Sequence, residues 1–316
     1  MANESGVPNE EIREFEFFVV SNTAGGIFYG ILIIMQIVLF MVFSRESFRL
    51  SKPRGVLLTI CLTMFALSSV YFAATVALCL TSLRSWKNSV RQDSQLLENS
   101  LRLSQRLKIV QDVTYPINFF LSDVVVVWRA WVLVHGKYRV LLAVLLFASF
   151  CAMILNSLQD ALPVYLQNTI SFDIAALHIP LLLTNICATW MIGHAFWSSR
   201  RILKLNPAAN SYDSSQQIHG PRRPWSEVER IFLIVIESGF LYLVVWFFSI
   251  LADVGVLGDI ASGTKDALLP HLAAIYPQMV FLLVASQKSQ VNAVLAGSER
   301  EDLEFTEISV ETIQFA

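Results

Sequence analysis

The sequence predicts an all-α fold, a seven-transmembrane helix bundle with its N-terminus outside and its C-terminus cytoplasmic. Three observations predict it. Seven apolar runs, at roughly 17–43, 56–83, 113–134, 139–158, 172–199, 228–252 and 266–286, fill most of the 316 residues. Each reaches the ~20 residues that a helix needs to cross the hydrocarbon core of a bilayer. The composition, 55% hydrophobic and 15% charged, departs from the roughly 25% charged residues of a soluble domain. Finally, twelve basic residues follow runs 1, 3 and 5: Arg45, Arg49, Lys52, Arg54, Lys137, Arg139, Arg200, Arg201, Lys204, Arg222, Arg223 and Arg230. Eight lie on the opposite side: Arg13, Arg84, Lys87, Arg91, Arg102, Arg106, Lys108 and Lys265. Basic loops stay cytoplasmic, which sets the orientation.

Residues 1–16 carry five glutamates and one arginine, the wrong sign for a secretory leader. They are expected as an acidic extracellular tail, and run 1 is expected to be retained as helix 1. Gly26 and Gly30 in that run form a small-xxx-small pair, which suits either close helix approach or a lipid-facing position. Lys52-Pro53-Arg54-Gly55 punctuates the turn to helix 2. Residues 84–112 are polar with spaced leucines, among them Leu97 and Leu101. That pattern fits an amphipathic extension of helix 3, a surface helix or a solvated loop. Pro116 would bend the start of helix 3. The turn at 135–139 is short enough to make helices 3 and 4 antiparallel neighbours. The long segment 200–227 reads as a flexible basic cytoplasmic loop, and 287–316 as an acidic cytoplasmic tail, leaving 17–286 as the membrane domain. Cys61, Cys79, Cys151 and Cys187 all fall within apolar runs, so free buried thiols are expected. Trp86, Trp131, Trp197 and Trp225 near the run ends form an aromatic belt.

Ionisable groups inside the runs carry the functional question, because a charge at membrane depth is costly and is kept for a reason. They are Asp123, Arg129, His194 and Glu237. By helical rise, Arg129 is about 7.5 Å and Glu237 about 9–10 Å from the inner ends of helices 3 and 6. Matching depth and opposite sign predict that they pair as a switch. The alternative is that Arg129 snorkels to the headgroups while Glu237 is protonated or bonded to Tyr242 or Ser238. Asp123 is about 240° around helix 3 from Arg129 and needs its own partner. Asn185, Asn118 or a ligand ammonium could serve, or a neutral, hydrogen-bonded Asp123 could sit in the core. Pro180 and Pro277 permit kinks in helices 5 and 7.

Several classes are disfavoured. A net charge of −2 gives no reason to expect a nucleic-acid partner. His178, His194 and His271 cannot share one metal without Asp123 joining them, so no metal site is expected. Run 7 has Lys265 and Lys288 only at its flanks, which disfavours a retinal Schiff base. No phosphate loop or nucleophile elbow is present in the sequence. The chain is therefore not expected to be an enzyme or to carry a cofactor.

Three segments together carry a family resemblance. They are Ser122–Leu133 with its Trp-Arg-Ala-Trp, Ile236-Glu237-Ser238-Gly239-Phe240-Leu241-Tyr242, and Ala274-Ile275-Tyr276-Pro277-Gln278 running into Ser286-Gln287-Lys288-Ser289. In these the chain resembles a large family of seven-helix membrane proteins from basidiomycete fungi. The family has no established activity to carry over. Gln278 stands where that family has threonine. The layout is also similar to that of G-protein-coupled receptors, without their Asp-Arg-Tyr, Asn-Pro-x-x-Tyr or loop disulfide.

The sequence-based expectation is a receptor-like multi-pass protein of the plasma membrane that senses an unknown small extracellular ligand. Asp123, Asn185, His178, His271 and Tyr276 are its expected ligand-binding residues. Arg129 and Glu237 are its expected switch pair. The loop 200–227 and the acidic tail would meet a cytoplasmic signalling partner. The alternative is a transporter or channel for a small solute.

Overall fold

The computed structural model describes residues 9–45, 52–91, 94–134, 136–161, 175–205, 225–258 and 261–283. All regular structure among them is helical. The helices are α1 (Asn9–Arg45), α2 (Lys52–Arg91), α3 (Ser94–Leu133), α4 (Lys137–Ala161), α5 (Ala175–Leu205), α6 (Trp225–Asp253) and α7 (Ala261–Leu283). α1 begins within the stretch expected as a tail. Most of the segment 200–227 and the tail from 287 lie outside the described residues.

Five helices, α1, α2, α4, α5 and α7, contain segments long and apolar enough to cross a membrane. The apolar segment of α6, Ile236–Ala252, is shorter. α3 carries Asn118, Asp123 and Arg129 within its apolar stretch, which lowers its hydropathy. The first two of these are fully buried and point to other helices. In its described residues the chain is thus all-helical, with five helices long and apolar enough to cross a membrane.

Helices adjacent in sequence pack together from α1 to α6, and α3 also packs on α5. α7 closes the arrangement, and it is the most buried span. In its apolar window 56% of residues are buried, against 17–33% in the other four. Its contacts explain this. A Cβ on Gly25 of α1 would stand 3.3 Å from the Ala267 carbonyl oxygen. The Tyr71 hydroxyl of α2 donates to the Asp266 carbonyl at 2.9 Å. That carbonyl is the one left without an intrahelical donor by Pro270 four residues on. The Pro270 carbonyl accepts from Asn118 Nδ2 of α3 at 2.6 Å and from Ser68 Oγ of α2 at 3.3 Å. On the other side Tyr276 stacks on Tyr242 of α6.

Glycines set the turns. Gly136, with φ +65°, ends α3 and starts α4 after three residues, as the short turn required. Gly255, with φ +78°, terminates α6. The Gly255 amide donates to the Ala252 carbonyl and the Val256 amide to the Leu251 carbonyl, a Schellman cap.

The polar stretch 84–112 is helical in its described residues, 84–91 and 94–112. α2 and α3 are each 40 residues long, about 60 Å at 1.5 Å per residue and twice the ~30 Å hydrocarbon thickness. Only two residues separate them, so they form an antiparallel hairpin that extends past the apolar segment of α2. Gln111 Nε2 donates to Thr75 Oγ1 at 2.7 Å, and Ser100 Oγ meets Ser85 Oγ at 3.3 Å along it. Of the expected glycine pair, Gly26 has only ordinary contact with Phe72 and Gly30 has nothing nearby. The close approach of α1 is at Gly25 instead. All four cysteines are free; Cys61 is buried and the other three are half-buried.

Candidate functional site

Two buried polar groups meet on opposite sides of α3, as the spacing of Asp123 and Arg129 requires. The first surrounds Asp123, which is completely buried. Ser149 Oγ of α4 donates to its Oδ2 at 2.9 Å, and Asn185 Nδ2 of α5 donates to its Oδ1 at 3.0 Å. Ser149 and Thr184 share a further hydrogen bond of 3.1 Å. Asn185 also donates to the Leu181 carbonyl of its own helix. Asn185 is therefore the partner Asp123 needs. Asn118, the other side-chain candidate, is engaged with Ser68 and Pro270.

The second group ties α3, α6 and α7 together. Arg129 Nη2 donates to the Tyr276 hydroxyl at 2.6 Å, with the guanidinium carbon 5.0 Å from the ring centroid. Tyr276 stacks on Tyr242 at 4.3 Å with the rings 12° from parallel. The Tyr242 hydroxyl shares a 3.1 Å hydrogen bond with Ser122, back on α3. The circuit starts and ends on one helix. Trp246 packs edge-on against Tyr242 and continues the aromatic layer to Phe119. Arg129 Nε and Nη1 are buried without a protein partner.

Glu237 does not join this circuit. It is exposed, on the side of α6 opposite the buried Gly239, Tyr242 and Trp246. Arg129 takes the phenol of α7 in place of the carboxylate of α6. The expected switch pair is corrected accordingly. Depth was matched, but the rotation of α6 turns the carboxylate outward. What α6 presents to α5 at this level is Gly239, where an added Cβ would come within 2.7 Å of Thr189 Oγ1.

The expected ligand-binding residues are not gathered in one place. Asp123 and Asn185 are bonded to each other, and Tyr276 belongs to the arginine circuit. His271 is buried among the rings of Tyr29, Tyr71 and Phe72, with centroids 5.5–6.1 Å away. The His178 side chain lies outside the described residues. His194 is exposed and lines an apolar cleft of about 310 Å³ with Val134, Tyr138, Trp190 and Met191. Among the described residues no three of histidine, cysteine, aspartate and glutamate are grouped as metal ligands. Ser122, Ser149 and Thr184 had only a weak signal in the sequence, a hydroxyl within an apolar run. Comparison with protein-family models, with curated proteins and with solved structures gave no match.

Proposed function

We propose that this chain is a receptor-like multi-pass protein of the plasma membrane, oriented with its N-terminus outside. In this reading an extracellular small molecule shifts the helices, and the α3–α6–α7 circuit is the two-state element that answers. The observation that carries the reading is the Arg129–Tyr276 hydrogen bond closed by the Tyr276–Tyr242 stack and the Ser122–Tyr242 bond. A charged donor held by a single neutral phenol is a contact that a small rotation of α7 breaks. Switching needs an element of this kind with two packings close in energy. The partner surface would be the basic loop after α5 and the acidic tail. The reading assigns no catalysis and no cofactor. As the alternative, a transporter or channel would need a polar path, and the fully buried layer of Leu32, Met64 and Ala274 interrupts one beside α7.

The test is the separation of α3 and α6 at the end where Arg129 lies. Spin labels on Val132→Cys and Leu233→Cys, both at exposed positions, report it by pulsed dipolar spectroscopy in nanodiscs, with the four native cysteines replaced. Tyr276→Phe and Arg129→Ala are each expected to add a second, longer distance population. A distribution unchanged in both variants would remove the circuit as a lock, and the receptor reading with it.

A further inference from the structure

A second unsatisfied polar site lies on the far side of α7, independent of the arginine circuit. α1 and α7 run side by side in the same direction with a constant register. Gly25 meets Ala267, Tyr29 meets His271, and Leu32 packs with Ala274. Four residues further along both helices the same register brings Gln36 opposite Gln278. α2 runs the other way. Tyr71 bonds at Asp266, Ser68 at Pro270, and Met64 packs with Ala274, so the next step on α2 is Cys61. Gln36, Cys61 and Gln278 thus form one layer between three helices.

All three side chains are buried, Gln36 at 8% exposed, Cys61 at 1% and Gln278 at 0%. Gln36 Oε1 and both amide atoms of Gln278 have no hydrogen-bond partner within the protein. A buried amide left unpaired among apolar helices loses its hydration and gains nothing in return. Leu32, Met64 and Ala274 form the fully buried layer next to it towards His271, and in the other direction α1 and α7 remain in contact through the stacked rings of Phe43 and Phe281, 5.0 Å apart. The three residues carry no ionisable group except the thiol, so the chemistry selects a neutral molecule that both donates and accepts hydrogen bonds. Bound water typically makes about three such bonds, and three unpaired amide atoms are present.

We propose that Gln36, Cys61 and Gln278 enclose an internal hydration site that joins α1, α2 and α7. The water is held by the two carboxamides, with the thiol as a weak third contact. It lets α7 carry polar groups on all sides and still pack in the interior.

Radiolytic hydroxyl-radical labelling of the full chain in nanodiscs tests this, because a bound water is itself the radical source for the residues around it. Cys61 and Met64 are expected to be oxidised despite their burial. In the Gln36→Leu/Gln278→Leu double variant that oxidation should fall several-fold, while Cys187 and Met191 by the open cleft are unchanged. Gln36→Met/Gln278→Met is the second variant should the leucine pair fail to fold. Absence of labelling at Cys61 and Met64 in the native chain would overturn the site, as would labelling that both double variants leave unaltered. A small solute released in stoichiometric amount by unfolding the native chain, and absent from the variants, would overturn water as the occupant.

Discussion

Asp123 shows how a costly residue is kept at membrane depth. Its two oxygens each receive a donor, from α4 and from α5, so the cluster fastens α3 to both neighbours. Ser149→Ala takes away one donor and leaves a buried oxygen unmatched, a loss of about 1–3 kcal/mol. Asn185→Leu should cost a similar amount. Thermal unfolding in detergent is expected to show both variants melting below the native chain, while Ile37→Ala on an exposed face stays close to it. A Ser149→Ala chain that melts with the native one would mean that Asp123 does not depend on that bond. Arg129 differs in having one bonded partner and two buried nitrogens without any. The two residues are six apart in sequence, yet one is fixed by donors from two other helices and the other is poised on one phenol. Sequence reading identified both as the groups to explain, because charge inside an apolar run is visible in one dimension. It paired Asp123 with Asn185 among other candidates, and paired Arg129 with a residue that faces away.

At the level of elements, the contact between α5 and α6 rests on Gly239. A methyl group there would press on both Thr189 Oγ1 and Cγ2, at 2.7 and 3.2 Å. Gly239→Ala is therefore expected to destabilise the chain by about 1–3 kcal/mol, the usual cost of overpacking. Thr189→Ala in the same chain removes both clashing atoms, since the Thr189 Cβ itself would be at an ordinary 3.5 Å. The double variant should recover most of the lost melting temperature. If it recovers none, the α5–α6 distance is not set by this contact. α7 shows the complementary principle. Pro270 deprives the Asp266 carbonyl of its donor, and the Tyr71 hydroxyl supplies one from α2. The proline could be read directly from the sequence. The donor that answers it lies 195 positions away and could not.

At the scale of the whole molecule, the α2–α3 hairpin is the feature that least resembles a simple bundle. Its exposed Leu96 lies past the end of the apolar segment of α2, which closes at Ser85 opposite Ser100, at the end of the molecule opposite Tyr138. The proposed orientation puts the hairpin outside the cell and Tyr138 at the cytoplasmic side. In a background without the native cysteines, Leu96→Cys should react with a membrane-impermeant maleimide in intact cells. Tyr138→Cys, also at an exposed position, should react only after permeabilisation. The reverse pattern would invert the topology and make the basic loops external.

The sequence by itself determined that this chain is helical, that it enters a membrane several times, and which buried charges demand partners. These follow from length, apolar content and the price of charge in hydrocarbon, all of which are properties of one chain segment at a time. The tertiary structure alone decided which partners those charges take. Lipid and protein interior are both apolar, so a membrane helix carries little record of which side faces inward. α6 is apolar nearly all round, and nothing along it announces that Tyr242 turns inward while Glu237 turns out. Glu237 and Tyr242 stand about 140° apart around the helix, so a rotation of that size would exchange them, and the packing of Gly239 on Thr189 and of Tyr242 on Tyr276 fixes which one turns inward.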